Sequence, residues 1–222
     1  GILQNPERIC CLESMLERLS PMYGPSQQPF IPLANTPTRY GIVAQTFHWV
    51  IVALVVLQFV LGIHAHGLPI SLERLILLAR HKSIGFTIFG LVVLRLCWRL
   101  YSPPPPMPTV PQPLFRIAAR LSHGLLYALL LSMPVVGWLL SSASNLTVSW
   151  FGLFSLPNLV RPDRQLAHWL LFTHQSMAWL LLAVVTLHIG AALWHHIILR
   201  DDVLLRMLPC IRGGDRAGNR QS

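Results

Sequence analysis

The stretch that most constrains this chain runs from Gln165 to Arg200, QLAHWLLFTHQSMAWLLLAVVTLHIGAALWHHIILR. Between Phe172 and His188 it is almost wholly apolar, and it is long enough to cross a bilayer as a helix. Yet it carries His174, His188, His195 and His196. Ionisable side chains inside a membrane span are costly, so they face the bundle interior and mark function by default. His174 and His188 are fourteen residues apart, which sets them roughly 40° apart on one face and about 21 Å apart along the axis. His195, seven residues further on, falls close to the same stripe. Two imidazoles on one stripe, separated by about two-thirds of a bilayer, have the pattern of ligands for two stacked cofactors. Interhelical hydrogen bonding is the alternative, and it suits one such histidine better than two in register.

The rest of the composition agrees with a membrane setting. Of 222 residues, 53% are hydrophobic and 11% charged, whereas a soluble domain has about a quarter of its residues charged. The net charge of +9 comes from sixteen Arg and one Lys, Lys82. With so many apolar spans, that excess reads as topology and contact with anionic lipid, and it argues against nucleic acid as a partner. Cys10, Cys11, Cys97 and Cys210 show no framework spacing, so no disulfide role is expected. There is no CxxCH, so a haem here would be held without thioether links.

Taken in order, residues 1–38 are polar and Pro-rich and are expected to form a disordered or loosely attached arm, without the apolar core of a signal peptide. The first span is expected from Gly41 to Gly62, with His48 two turns inside. The loop GIHAHGLPIS follows, and a second helix starts near Leu72 with His81 in its first buried turns. Arg95 and Arg99 at its far end are read as snorkelling to the interface. The run from Ser102 to Pro113 is a stiff, extended connector. A third span covers Phe115 to Leu140, with His123 near its start and a kink expected at Pro134. The loop from Ser141 to Pro162 holds Trp150 and Phe151, with Trp169 just beyond, an interfacial aromatic set. The fourth span and a basic tail from Arg200 complete the chain.

Four spans place the N-terminus, the Pro-rich connector and the C-terminus on one side. That side collects twelve Arg, against Arg74, Arg80, Lys82, Arg161 and Arg164 on the other. The positive-inside rule therefore puts both termini in the cytoplasm. Depth then pairs the histidines. The first helix starts inside, so His48 lies in the inner half; the second and fourth start outside, so His81 and His174 are outer and His188 inner. His48 pairs with His188 and His81 with His174, one cofactor-sized gap in each leaflet. Two imidazoles per iron fill both axial positions, which favours electron transfer over oxygen activation. Small residues one turn on (Gly85, Ala178 and Ala192) would leave room for a flat macrocycle, although close helix packing also selects them. Zinc is the rival for clustered histidines, but no intramembrane carboxylate or cysteine completes a four-ligand site at either depth.

The other histidines carry weaker signals. His64 and His66 fall in the outer loop, and His168 and His196 read as interfacial. His123 and His195 lie near the inner surface, placed to hydrogen-bond a haem propionate or a quinone carbonyl, or to sit at the headgroups. Arg80 and Lys82 flank His81, where they either neutralise propionates or anchor the helix, or else steer an anionic donor to a haem edge.

The pieces FHW, ARHKSIG with VVLRLCWRLYSPPPP, LSHGLLYALLLSMPVVGW, and LHIGAALWHHIILRDDVLLRMLP resemble the bacterial cytochrome b561 family over Arg39 to Pro209. The resemblance implies an all-α fold: a transmembrane four-helix bundle with two b-type haems between the helices, occupying residues 39–200, with a basic cytoplasmic tail over 201–222. It implies His48, His81, His174 and His188 as the axial iron ligands and quinone, such as ubiquinone, as the electron partner. It also implies a multi-pass protein of the bacterial inner membrane. Similar proteins pass an electron from periplasmic superoxide to ubiquinone, so the expected function is an oxidoreductase linking a periplasmic-side donor to the quinone pool. The alternative is a haem-containing membrane anchor for a partner hydrogenase or dehydrogenase subunit, and a third class is a histidine-lined cation transporter.

Overall fold

Helix boundaries in this chain follow from a few capping and breaking residues. In the computed structural model, which describes residues 32–106 and 113–208, four long helices form: α1 (Ile42–Gly67), α2 (Leu72–Tyr101), α3 (Pro113–Ala143) and α4 (Arg164–Trp194). The arm before residue 32, the centre of the Pro-rich connector and the tail beyond residue 208 lie outside the described residues. Ser71 caps α2 by accepting from the Arg74 N–H at 3.2 Å. Asp163 caps α4, its Oδ1 accepting from the N–H groups of Gln165 and Leu166 at 2.8 and 3.0 Å. Such caps satisfy the orphan donors of a first turn. α2 ends at Tyr101 with Ser102 as its C-cap, and the prolines from Pro103 onward keep it from continuing.

All four helices are long and apolar enough to cross a membrane, with mean hydropathies of 2.2, 1.6, 1.8 and 1.9 in chain order. Much of their apolar surface faces outward: Val60, Ile63, Trp179 and Leu187 are all more than half exposed. A soluble protein does not leave such a girdle open; a bilayer covers it. The expected four-helix transmembrane architecture is thus present.

The end of the first helix differs from the sequence reading. The first span does not end at Gly62 but continues to Gly67, so His64 and His66 are helical and exposed, and His64 sits 3.7 Å from Glu73. The helix stops where Leu68 precedes Pro69, a position pushed out of the helical region by the proline ring. Pro134 sits inside α3, and the helix remains continuous around it.

The helices pack as two antiparallel hairpins, α1 with α2 and α3 with α4, joined by contact of α2 with α3. Among the four, α4 runs closely alongside only α3. Clefts therefore remain between α4 and each of α1 and α2. Two apolar clusters brace the bundle. Ile51, Ile88 and Val92 join α1, α2 and α3, with Tyr127 packed against them. Leu129, Leu181 and Val184 join α3 to α4, with Phe59 of α1 reaching in. On every helix these residues fall between the two levels at which the histidines lie.

At one end of the bundle the loop after α3 folds into a two-stranded antiparallel hairpin, β1 (Val148–Trp150) and β2 (Phe154–Leu156), a departure from the purely helical expectation. Phe151 and Gly152 both have left-handed φ values, 48° and 78°, the type I′ geometry that matches strand twist. Ser83 of α2 staples this hairpin down. Its buried Oγ accepts from the Phe151 N–H at 3.0 Å and lies 3.0 Å from the carbonyls of Ala79 and Ser149. Of the aromatic set expected at an interface, Phe151 and Trp169 are more than half exposed, whereas Trp150 is half-buried and donates its Nε1–H to Thr87 Oγ1 at 3.2 Å.

At the opposite end, residues 32–41 and 201–208 close under the helices. Asn35 donates to Ser102 Oγ and to the Ser102 carbonyl at 2.9 and 2.7 Å, and its Oδ1 accepts from the Gly41 N–H. Gln45 and Trp49 of α1 donate to the carbonyls of Arg206 and Met207 at 3.2 and 2.9 Å. Arg206 in turn reaches the Pro106 carbonyl. Residues 32–38, expected to belong to the arm, are thus tied to the helical body. This is called the terminal end below, and the other the hairpin end.

Candidate functional site

Four helices bring histidines into the interior at two levels. At the terminal level the rings of His48 on α1 and His188 on α4 have centroids 6.4 Å apart. At the hairpin level His81 on α2 and His174 on α4 are 6.2 Å apart. Both pairs meet across the clefts that α4 leaves towards α1 and α2, so each pair bridges helices whose backbones stay apart.

Those separations test directly what the pairs can hold. A metal–imidazole bond is about 2.0 Å, so two imidazoles on opposite sides of one ion carry ring centroids about 6 Å apart. Both pairs meet that condition. A direct hydrogen bond between two rings is not found for either pair. No group of three or more His, Cys, Asp or Glu suited to a metal ion occurs among the described residues. A zinc ion lacks its donors here, whereas the iron of a haem needs only two axial ligands from the protein.

The surroundings of the hairpin-level pair fit ligation further. A Cβ added at Gly62 would lie 3.3 Å from His81 Cε1, and one added at Gly137 would lie 3.4 Å from His174 Cε1. The two rings thus rest edge-on against the bare backbones of α1 and α3. His81 Nδ1 and His174 Nδ1 are buried with no hydrogen-bond partner among the described residues. Ligation at the other ring nitrogen would give each imidazole a polar partner at this level.

Gly85 does something other than the sequence suggested. A Cβ there would come within 3.0 Å of Gln58 Nε2, which donates to the His81 carbonyl at 2.9 Å. The missing side chain admits a glutamine from α1, so at this position the space is taken by protein.

The terminal level is more polar. His123 of α3 lies 5.3 Å from His188 between centroids, closer than two imidazoles sharing an ion across it. Arg95 does not snorkel outward as expected: its Nη1 lies 2.9 Å from His48 Nδ1. Arg99 covers the Tyr127 ring, 5.8 Å from its centroid. The sequence reading placed both at the interface because a basic residue near a helix end looks the same whether it turns out or in.

The remaining candidates are dispersed. Arg80 is exposed and Lys82 half-buried, on either side of His81 at the hairpin end. His195 is not in contact with the terminal-level pair; its Nδ1 meets Asp201 Oδ2 at 2.5 Å. His168 and His196 are exposed. Gly62, Gly137, Gln58, Arg95 and Asp201 were all missed as site residues.

A spacing links the missed residues to the found ones. On α1 it runs from His48 to Gly62, on α2 from His81 to Arg95, on α3 from His123 to Gly137, and on α4 from His174 to His188: fourteen residues each time. Every helix contributes one group to each level, and this repeat was available in the sequence.

Comparison with known proteins adds the chemistry. A family described as prokaryotic cytochrome b561 matches residues 39–210. Cytochrome b561 homolog 2 of Escherichia coli (strain K12) is 36% identical over 181 residues, covering 78% of this chain and 93% of that protein. A probable superoxide oxidase, CybB of Yersinia pestis, is 29% identical over 175 residues, covering 79% of this chain and 98% of that protein. Cytochrome b561 homolog 1 of the same Escherichia coli strain is 32% identical over 141 residues, covering 63% and 78%.

Proposed function

The chain belongs to the prokaryotic cytochrome b561 family of haem-binding membrane electron-transport proteins, and from that premise we propose that it carries two haems b and passes electrons from a periplasmic-side donor to the quinone pool. The observation that carries the reading is the pair of histidine pairs, 6.4 and 6.2 Å between centroids, one at each level of a membrane-spanning bundle. His48 and His188 would hold the haem of the terminal level, and His81 and His174 that of the hairpin level. Haem held by these histidines would supply one-electron iron chemistry.

The protein's own residues set the direction. The Arg excess of the terminal end supports a reading, by the positive-inside rule, in which that end faces the cytoplasm across the inner membrane and the hairpin end faces the periplasm. Gly62 and Gly137 give the outer rings their seats, and the mid-bundle clusters of Ile51, Ile88, Val92 and Leu129, Leu181, Val184 keep water out between the levels. Arg95 can only donate, so its bond to His48 Nδ1 competes with the N–H that a ligand histidine carries there. With His48 on iron, Arg95 would turn to another acceptor, for which a haem propionate is the natural partner.

Superoxide is the donor we favour, because the relative from Yersinia pestis is described as a probable superoxide oxidase. Two superoxide anions each give one electron and leave as dioxygen, and one quinone takes both electrons with two protons to become quinol. Rapid mixing of the reduced protein with a short-chain ubiquinone tests the acceptor half: we expect both haems to reoxidise. Failure of ubiquinone to reoxidise them would remove quinone from the account and favour an anchor subunit that hands its electrons to a partner protein.

A further inference from the structure

We propose that His195 and Asp201 form a proton-transfer pair that protonates the quinone at the terminal end, an inference that rests on the quinone reading above. Quinol formation needs one proton at each of the two quinone oxygens, and the side chains that could move them must sit between the apolar interior and water. Among residues 32–208 the carboxylates are Glu73, Asp163, Asp201 and Asp202. Glu73 sits in the first turn of α2 and Asp163 caps α4, both at the hairpin end. Only Asp201 and Asp202 remain at the terminal end, and Asp201 is the one that meets a histidine.

The chain takes an unusual route to make that contact. α4 ends at Trp194 and continues as a π turn over His195–Leu199, a rare form that occurs mostly as single turns and frequently at functional sites. Arg200 then adopts a left-handed conformation, φ 53°, which a non-glycine residue enters at some cost. The Asp201 N–H returns to the His195 carbonyl at 3.1 Å. This sequence of turns folds the carboxylate back onto its own helix end. Oδ2 meets His195 Nδ1 at 2.5 Å, and Oδ1 accepts from the Val203 N–H at 3.1 Å. Both oxygens are engaged, so the carboxylate is fixed in orientation. On a side crowded with arginine it pairs with an imidazole, while Arg206 is spent on the Pro106 carbonyl.

The chemistry follows from the ring. With Nδ1–H committed to Asp201, Nε2 is the nitrogen left to exchange protons. His195 lies seven residues past His188, about 10 Å along the axis and on nearly the same face. The two side chains are 19% and 24% exposed, half-buried at the level where water can reach one edge of the ring. As electrons reach the quinone, Nε2–H gives its proton to a quinone oxygen and an O–H bond forms. Nε2 then takes a proton from cytoplasmic water, and the other quinone oxygen takes its proton from water to complete the quinol. Asp201 keeps Nδ1–H throughout and acts as a positioning residue.

The test compares two oxidants on the full-length, haem-loaded protein. Reduced His195→Gln and Asp201→Asn proteins are mixed with a short-chain ubiquinone, which needs protons, and with ferricyanide, which does not. General acid catalysis contributes about 10²–10⁴-fold, so we expect ubiquinone reoxidation to slow by tenfold or more in His195→Gln and less in Asp201→Asn, with ferricyanide rates and haem content unchanged. Added imidazole should restore the quinone rate in His195→Gly. Equal slowing towards both oxidants, or wild-type quinone rates in haem-loaded variants, would overturn the pair's role. Should the His195 variants lose haem, Asp201→Asn and Asp201→Glu decide: rates matching the wild type in both contradict the proposal, and a loss in Asn with recovery in Glu upholds it. A wild-type protein that ubiquinone does not reoxidise would sink the quinone reading itself.

Discussion

Arg95 Nη1 lies 2.9 Å from His48 Nδ1, and Arg95 stands fourteen residues beyond His81 on the same helix, as Gly62 stands fourteen beyond His48 on its own. The two helices of the first hairpin thus exchange partners: α1 offers a histidine to one level and a glycine seat to the other, and α2 offers a histidine and an arginine. The second hairpin repeats the pattern with His123 and Gly137 on α3 and His174 and His188 on α4. Fourteen residues return a helix to nearly the same face about 21 Å on, which is why one spacing serves four helices. The hairpin level comes out tight, its rings against bare glycine backbone, and the terminal level polar.

That asymmetry predicts different responses to glycine substitution. Gly62→Val and Gly137→Val should displace the His81 and His174 rings, since even a Cβ would stand 3.3–3.4 Å from them. Overpacking of this kind costs about 1–3 kcal/mol. The expected result is loss of one haem and retention of the other, measured by haem content per chain. Gly190→Val, where a Cβ would meet nothing within 4 Å, should keep both.

Arg95→Gln should weaken retention of the terminal-level haem while leaving the hairpin-level one in place. Arg95→Lys should fall between that variant and the wild type, because a lysine keeps the charge but not the planar fork. Haem retained per chain after detergent washing measures it. An equal loss of both haems would mean that Arg95 supports the bundle as a whole.

Ser83→Ala removes the hydroxyl that ties the β-hairpin to α2. Leaving the Phe151 N–H without its acceptor costs about 1–3 kcal/mol. Thermal unfolding should come at lower temperature, and protease should cut the 148–156 hairpin sooner, with the haem spectra of the folded protein unaltered.

The rim around His81 predicts salt dependence. Arg80 and Lys82 are basic residues at the hairpin end, one exposed and one half-buried, placed to attract an anion. Reduction by superoxide should slow as ionic strength rises, because salt screens such fields over about 10 Å at 0.1 M. Arg80→Gln and Lys82→Gln should be slower at low salt and converge with the wild type at high salt. A rate indifferent to salt and to both substitutions would leave these residues as helix anchors.

The sequence carried the spans and the meeting of His48 with His188 and of His81 with His174, because apolar length and helix direction together fix the depth of each side chain. It was less legible where one residue type serves two ends. Gly62 reads as a helix terminator until a ring from another helix rests on it. Arg95 near a helix end reads as an interface anchor until the cleft beside α1 gives it an inward partner. Asp201 drew no attention because its contact with His195 depends on a π turn and a left-handed arginine, neither of which leaves a periodic mark. Strands of three residues are likewise too short for alternation to show.

The central claim is that each histidine pair holds one haem, and haem quantitation combined with a reduced-minus-oxidised spectrum tests it most directly. The wild-type protein should contain two haems b per chain, both six-coordinate and low-spin. His48→Ala or His188→Ala should remove one of them, and His81→Ala or His174→Ala the other. A colourless protein, a single haem, or a His48 variant that loses the same haem as a His81 variant would contradict the account.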